Sequence, residues 1–150
     1  MAYPNKQGLG YLVRKSNAFD TAENIAASAA VYGGYLVTKP CQITEFLFYV
    51  TTAVDADNVA PVVEVNKRPT YNSASGESLI AQITIPDGTA AGKVMRKVCD
   101  PPVQLDVGDE LSFEHVTQAT DSGTAAGAGF YDVVLEPMGP GVQSDLVASA

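Results

Sequence analysis

The sequence predicts an all-β chain, an antiparallel β-sandwich or jelly-roll-like barrel of about seven or eight strands with an extended N-terminal arm. Three observations predict it. Apolar and polar residues alternate at period two in residues 43–50, 79–85, 111–117 and 131–135. Clusters of Pro, Gly, Asn and Asp separate these runs at intervals of roughly 8–15 residues. No sustained helical period lies between them, which argues against βαβ units. A chain of 150 residues is expected to form one domain with a sizeable core.

Residues 1–25 read as the arm: Pro4, Gly8 and Gly10 interrupt any period. Asp20 or Thr21 could cap a short helix over 22–30, whereas Val31, Tyr32, Tyr35, Leu36 and Val37 favour a strand. The sandwich is expected to occupy residues 26–137. In its first clear strand, Phe46, Phe48 and Val50 share one face and Glu45 takes the other. After the turn at 55–58, Val63 and Val65 point together, and a polar loop fills 66–78. Leu79, Ala81, Ile83 and Ile85 are expected to point inward, before a tight turn at Pro86-Asp87-Gly88. Val94 and Val98 share a face in a strand that Asp100-Pro101-Pro102 should break, because proline cannot donate to a ladder. Val103–Leu105, then Leu111 and Phe113, then Tyr131, Val133 and Leu135 complete the expected core. Residues 138–150 are expected to lie outside it as a tail.

The charge pattern narrows the partners. Nine Lys and Arg oppose seventeen Asp and Glu, a net charge of −8. An acidic chain repels nucleic acid, whose binding depends on neutralised phosphates. No stretch approaches the ~20 apolar residues of a membrane-spanning helix, and the first residues lack the pattern of a secretion signal. Basic residues end at Lys97, while the segment before Asp20 carries Lys6, Arg14 and Lys15 and no acid. Tyr3 and Tyr11 lie in the same segment, and tyrosine suits protein interfaces. Tyr3, Lys6, Tyr11, Arg14 and Lys15 are therefore the candidate partner-binding residues, with the alternative that the arm packs on its own domain.

The tests for catalytic chemistry come out against an enzyme, a cofactor or a metal. Gly88 to Lys93 resembles a phosphate-binding loop, but three residues separate its glycines where four are needed, and Val94 replaces the hydroxyl residue. Gly127-Ala128-Gly129 lacks a third glycine and precedes a strand. Asp55-Ala56-Asp57-Asn58 begins like a calcium loop, but Ala60 and Asn66 stand where the glycine and terminal glutamate belong. One histidine and two cysteines are too few for a zinc site in one chain. His115 shares the face of Leu111 and Phe113 and is expected as a half-buried histidine bonded within the sandwich. Cys41 and Cys99 are expected as reduced thiols at strand ends. No Gly-x-Ser-x-Gly elbow is present to hold a serine nucleophile.

The run from Leu79 to Pro137 joins an alternating strand, the turn 85–92, the segment Pro101-Pro102-Val103-Gln104-Leu105-Asp106-Val107-Gly108-Asp109-Glu110-Leu111, a polar loop 118–129 and Phe130–Pro137. This cadence resembles small virion proteins of tailed bacteriophages, in particular capsid decoration or cement proteins with a jelly-roll-like β-sandwich. The resemblance implies a non-enzymatic structural subunit, often a homotrimer. It implies a protein made in the bacterial host cytoplasm that sits on the outer capsid surface, binds the major capsid protein and ties neighbouring capsomers together. The alternative is a carbohydrate- or receptor-binding sandwich of a phage tail or adhesin. The polar loops 66–78 and 118–129 favour that alternative, and the absence of Trp weighs against it.

Overall fold

A computed structural model describes residues 11–15, 22–70 and 73–138. The described chain is all-β and contains no helix. Nine strands form two antiparallel sheets: β1 (Tyr11–Lys15), β2 (Glu23–Asn24), β3 (Ala30–Leu36), β4 (Cys41–Asp55), β5 (Val62–Arg68), β6 (Ser78–Thr84), β7 (Val94–Leu105), β8 (Glu110–Thr117) and β9 (Ala126–Pro137). The first sheet runs β1-β9-β4-β7, with β2 also on β9; the second runs β3-β8-β5-β6. The pairings are nested. The strands β1 and β2 meet β9, β3 meets β8, β4 meets β7, and β5 meets β6. The chain is thus a long antiparallel hairpin rolled over on itself, the connectivity of a jelly roll.

The core lies between the sheets. Phe46, Phe48 and Val50 of β4, Val63 and Val65 of β5, Leu111 and Phe113 of β8, and Tyr131, Val133 and Leu135 of β9 have no solvent exposure. Each is a residue that the alternation points inward. Tyr131 joins the sheets: its ring lies 5.1 Å from that of Phe48 and 6.3 Å from that of Phe46 on its own sheet. On the opposite sheet it meets Phe113 edge-on at 5.9 Å. Such rings contribute both apolar burial and the geometry-dependent attraction of edge-to-face pairs. His115, expected to be half-buried, is almost completely buried. Its Nε2–H donates to the carbonyls of Ser28 (2.9 Å) and Ala27 (3.2 Å), holding the segment before β3 against β8.

Bulges explain where the structure departs from simple alternation. Leu79 was expected inward and is exposed. Val65 pairs with Ala81 but Asn66 with Leu79, so Ile80 is an extra residue and the strand changes face there. Ile80 packs against the core in place of Leu79. Asp100-Pro101-Pro102 does not end its strand. The register of β7 on β4 jumps from Glu45↔Val98 to Ile43↔Val103, and the prolines occupy the excess. Because β7 is an edge strand, their missing amides cost no ladder partner on the open side. Val94 and Val98 do share a face, but it is the solvent face. Cys99 fills the inward position and lies within the strand, whereas Cys41 opens β4.

Two pieces of the segment read as an arm belong to the sheet. Residues 11–15 pair with β9, residues 23–24 pair with its other end, and Ile25 is fully buried in the core. The reason is the free edge of β9, whose other side is taken by β4. An unpaired strand edge leaves a row of backbone groups that β1 and β2 satisfy. No helix forms over 22–30; the backbone bends at 25–28 and continues into β3.

Two outcomes test this architecture. Phe113→Asp places an unpaired charge among Tyr131 and its neighbours and should cost about 4 kcal/mol or more, read as loss of the thermal transition in calorimetry. Wild-type stability in that variant would overturn the assigned core. Deleting residues 2–17 removes β1 and uncovers β9. At about 1 kcal/mol per lost ladder bond, the melting temperature should fall by roughly 5–15 °C. An unchanged melting temperature would show that β1 contributes nothing to the sheet.

Candidate functional site

The motifs weighed for phosphate and calcium are consumed by the fold. In the 88–93 segment the amide of Gly88 donates to Val54 O (3.0 Å) and that of Gly92 to Val50 O (2.8 Å). Those amides extend the ladder of β4 and are not available to cradle an anion. Asp57 accepts from the Ser122 amide (3.1 Å) and Oγ (3.4 Å), and Asp87 from the Ala56 amide (2.9 Å). These carboxylates tie three loops at one end of the sandwich. Asp55, beside Asp121 and hydrogen-bonded to it, is held above the ordinary aspartate range, mainly by that charge. Among the described residues no group of three or more His, Cys, Asp or Glu is placed to hold a metal ion. Cys41 and Cys99 are free, buried thiols; burial pushes both upward, with Asp109 and Glu45 respectively adding to it. A thiol so shifted is a poor nucleophile.

What remains is surface, and the two outer faces differ. The outer face of the first sheet is built by β9, β4 and β7, where three cross-strand rows stand side by side. Phe130 and Val94 flank Tyr49; Asp132 and Arg96 flank Leu47; Val134 and Val98 flank Glu45. Phe130, Tyr49, Leu47 and Val134 are half-buried, and Val94 and Val98 are each 53% exposed. The face is therefore apolar in its first row and broken by charge in the other two. Arg96 grips Glu45 with two hydrogen bonds, Nε to Oε2 at 2.8 Å and Nη2 to Oε1 at 2.6 Å. The long β4–β9 ladder holds these rows rigid. Gly129, next to Phe130, permits it: a Cβ there would stand 2.3 Å from Tyr49 O.

The outer face of the second sheet is polar yet closed. Asn66, Arg68, Glu110, Ser112 and Glu114 are all buried there. The Asn66 amide donates to Glu64 and Glu114, and Arg68 pairs with Glu77. Gly34 N donates to Glu110 Oε1 at 3.2 Å.

Of the residues assigned to partner binding, Tyr3 and Lys6 lie outside the described residues. Tyr11, Arg14 and Lys15 fall in β1, in register with Leu135, Asp132 and Tyr131. Their backbone is committed to the ladder. Sequence reasoning missed both outer faces as sites. The period-two signal that marks Phe46 and Phe48 as core also marks Leu47 and Tyr49 as an outward apolar pair, and that signal was available. The alignment of Val94 and Phe130 beside Tyr49 was not.

No protein-family model and no curated protein sequence matches this chain. Among solved structures it is similar to the K1 cleaved adhesin domain of Lys-gingipain from Porphyromonas gingivalis W83. That likeness has 16% identity, spans 79% of this chain and 73% of that one, and has a TM-score of 0.46. For the K3 cleaved adhesin domain of the same protein the identity is 20%, the coverage 72% and 63%, and the TM-score 0.43. At these values neither carries an argument about what this chain does.

The Arg96–Glu45 pair provides a test of what holds the face. Arg96 is exposed and Glu45 half-buried, so solvent screens the pair and Arg96→Ala should leave the midpoint of a denaturant titration nearly unchanged. A larger loss would show that the pair, and not the ladder beneath it, fixes the surface.

Proposed function

We propose that this chain is a non-catalytic structural subunit of a virion, a decoration or cement protein that binds the major capsid protein and its own copies by surface contact. The observation that carries the reading is the row of Phe130, Tyr49 and Val94 with Leu47 behind it: a rigid apolar strip bordered by Arg96 and Glu45. Aromatic and aliphatic contact area inside a charged rim is the composition of a protein interface. The jelly roll supports the reading because its ladders fix that strip with little conformational entropy left to lose on association. A homotrimer on the outer capsid surface fits a closed ring of identical contacts. The resemblance of residues 79–137 to phage decoration proteins is the second support.

A carbohydrate- or receptor-binding module is the alternative, and one observation favours it. Tyr49 and Phe130 lie side by side on a flat sheet face, and sugar rings pack on such aromatic surfaces.

The decisive measurement is mass spectrometry of the particle with which the native protein purifies, together with particle occupancy of Val94→Glu. The expected result is co-purification with a major capsid protein and at least a ten-fold loss of occupancy in the variant, as expected of a charge desolvated in an apolar contact at more than about 1.4 kcal/mol. Recovery of the protein free of any capsid, or full occupancy by the variant, would overturn the reading. A glycan array that retains the protein through Tyr49 would favour the alternative.

A further inference from the structure

The polar outer face of the second sheet has more acid than it can neutralise. Glu114 of β8 stands directly across from Glu64 of β5. The side-chain amide of Asn66 donates to both carboxyls, to Glu64 Oε1 at 3.1 Å and to Glu114 Oε1. The cation beside them, Arg68, is already paired with Glu77, which ends the β5–β6 connection. Lys67 is turned away to Asp109 (3.3 Å) and the Gln104 carbonyl (3.3 Å). Further along β8, Glu110 accepts from Gly34 of β3, and β3 faces Glu114 only with Val31. On β6 the residue opposite Glu64 is Gln82, which is uncharged. Glu110 stands in register with Arg68, so among the described residues four carboxyls, Glu64, Glu77, Glu110 and Glu114, surround one guanidinium. Two carboxyls drawn onto one amide repel each other unless one of them carries a proton. The Asn66 amide cannot supply it, because its hydrogens stay on nitrogen. Ser112, opposite Asn66, is fully buried and adds no charge to the cluster.

We propose that Glu64 and Glu114 form a proton-held latch, in which one shared proton keeps the β5–β6 edge of the sandwich closed and its loss loosens that edge. The physics has a definite sign. Burial first, then the neighbouring Glu64 carboxyl and the charge of Glu77, push Glu114 up to about 7, while Arg68 opposes them. A carboxyl raised in the folded state binds its proton more tightly there than in the opened chain. Its stabilising contribution is complete below the ordinary glutamate range and is lost as pH rises through about 7. Above that, the second carboxylate repels Glu64 and competes for Arg68, and the Arg68–Glu77 tie weakens. The β5–β6 ladder and the turn in which Glu77 N donates to Ala74 O at 3.1 Å are the backbone held by that tie.

The test uses the whole chain. Carbon-detected NMR follows the Glu64 and Glu114 carboxyls, and amide hydrogen exchange, corrected for its intrinsic pH dependence, follows residues 77–84. A midpoint near 7 and a roughly ten-fold loss of protection between pH 6 and 8 are expected, from a shift of this size. Glu114→Gln keeps the shape and removes the charge, so it should hold its protection equally at both pH values. Glu114 titrating in the ordinary glutamate range would overturn the proposal, and so would a pH-dependent loss that persists in Glu114→Gln. If that variant fails to fold, the wild-type carboxyl titration alone decides.

Discussion

The contact of Tyr131 with Phe113 across the sandwich is the constraint on which the rest of the molecule depends. Tyr131 lies on β9 and Phe113 on β8, the last two strands of the chain, and each occupies the middle of its own sheet. Around them the earlier strands are laid down in reverse order. The strand β4 closes on β9 and β5 on β8, each bringing its apolar face to the same aromatic centre. A rolled hairpin of this kind has few local contacts to guide it. Its order is enforced by the fit of buried rings, because a one-residue slip would turn Tyr131 and Val133 to solvent.

Rigidity at the centre determines what the two outer faces can do. Every residue of β4 that packs Tyr131 has a neighbour pointing the other way, so Leu47 and Tyr49 are fixed as firmly as Phe46 and Phe48. On the first sheet this produces a stiff apolar strip with charge at its border. On the second sheet the same alternation sends Ser112 and Glu114 outward from Leu111 and Phe113, and both are nonetheless buried. One face is therefore largely apolar, and the other gathers buried carboxyls. The burial of neighbouring carboxyls on that second face is what makes it sensitive to a proton.

The loops show the same economy of polar groups. Segments that resemble a phosphate loop and a calcium loop are spent on holding strand ends together, through the amides of Gly88 and Gly92 and the carboxylates of Asp57 and Asp87. Short turns in a sandwich have many backbone groups to satisfy and few strands nearby to satisfy them. Gly, Asp and Ser recur there for that reason, and fragments of binding motifs arise from it.

Local pattern determined much of this protein. The all-β class, the inward rows Phe46-Phe48-Val50, Val63-Val65, Leu111-Phe113 and Tyr131-Val133-Leu135, and the inward placement of His115 follow from period two and from turn chemistry. These properties depend on neighbours one or two residues away. Tertiary structure alone decided the rest. The extra residue Ile80 turns Leu79 outward, the prolines of β7 survive because that strand has an open edge, and residues 11–15 join β9 because its flank is unoccupied. The strip at Tyr49 and the carboxyl pair Glu64–Glu114 belong to the same class. Each is assembled from strands far apart in the chain, and which residues stand opposite is fixed by register and by bulges. Register is a global property, set by the fit of the whole core, and no local window of sequence contains it.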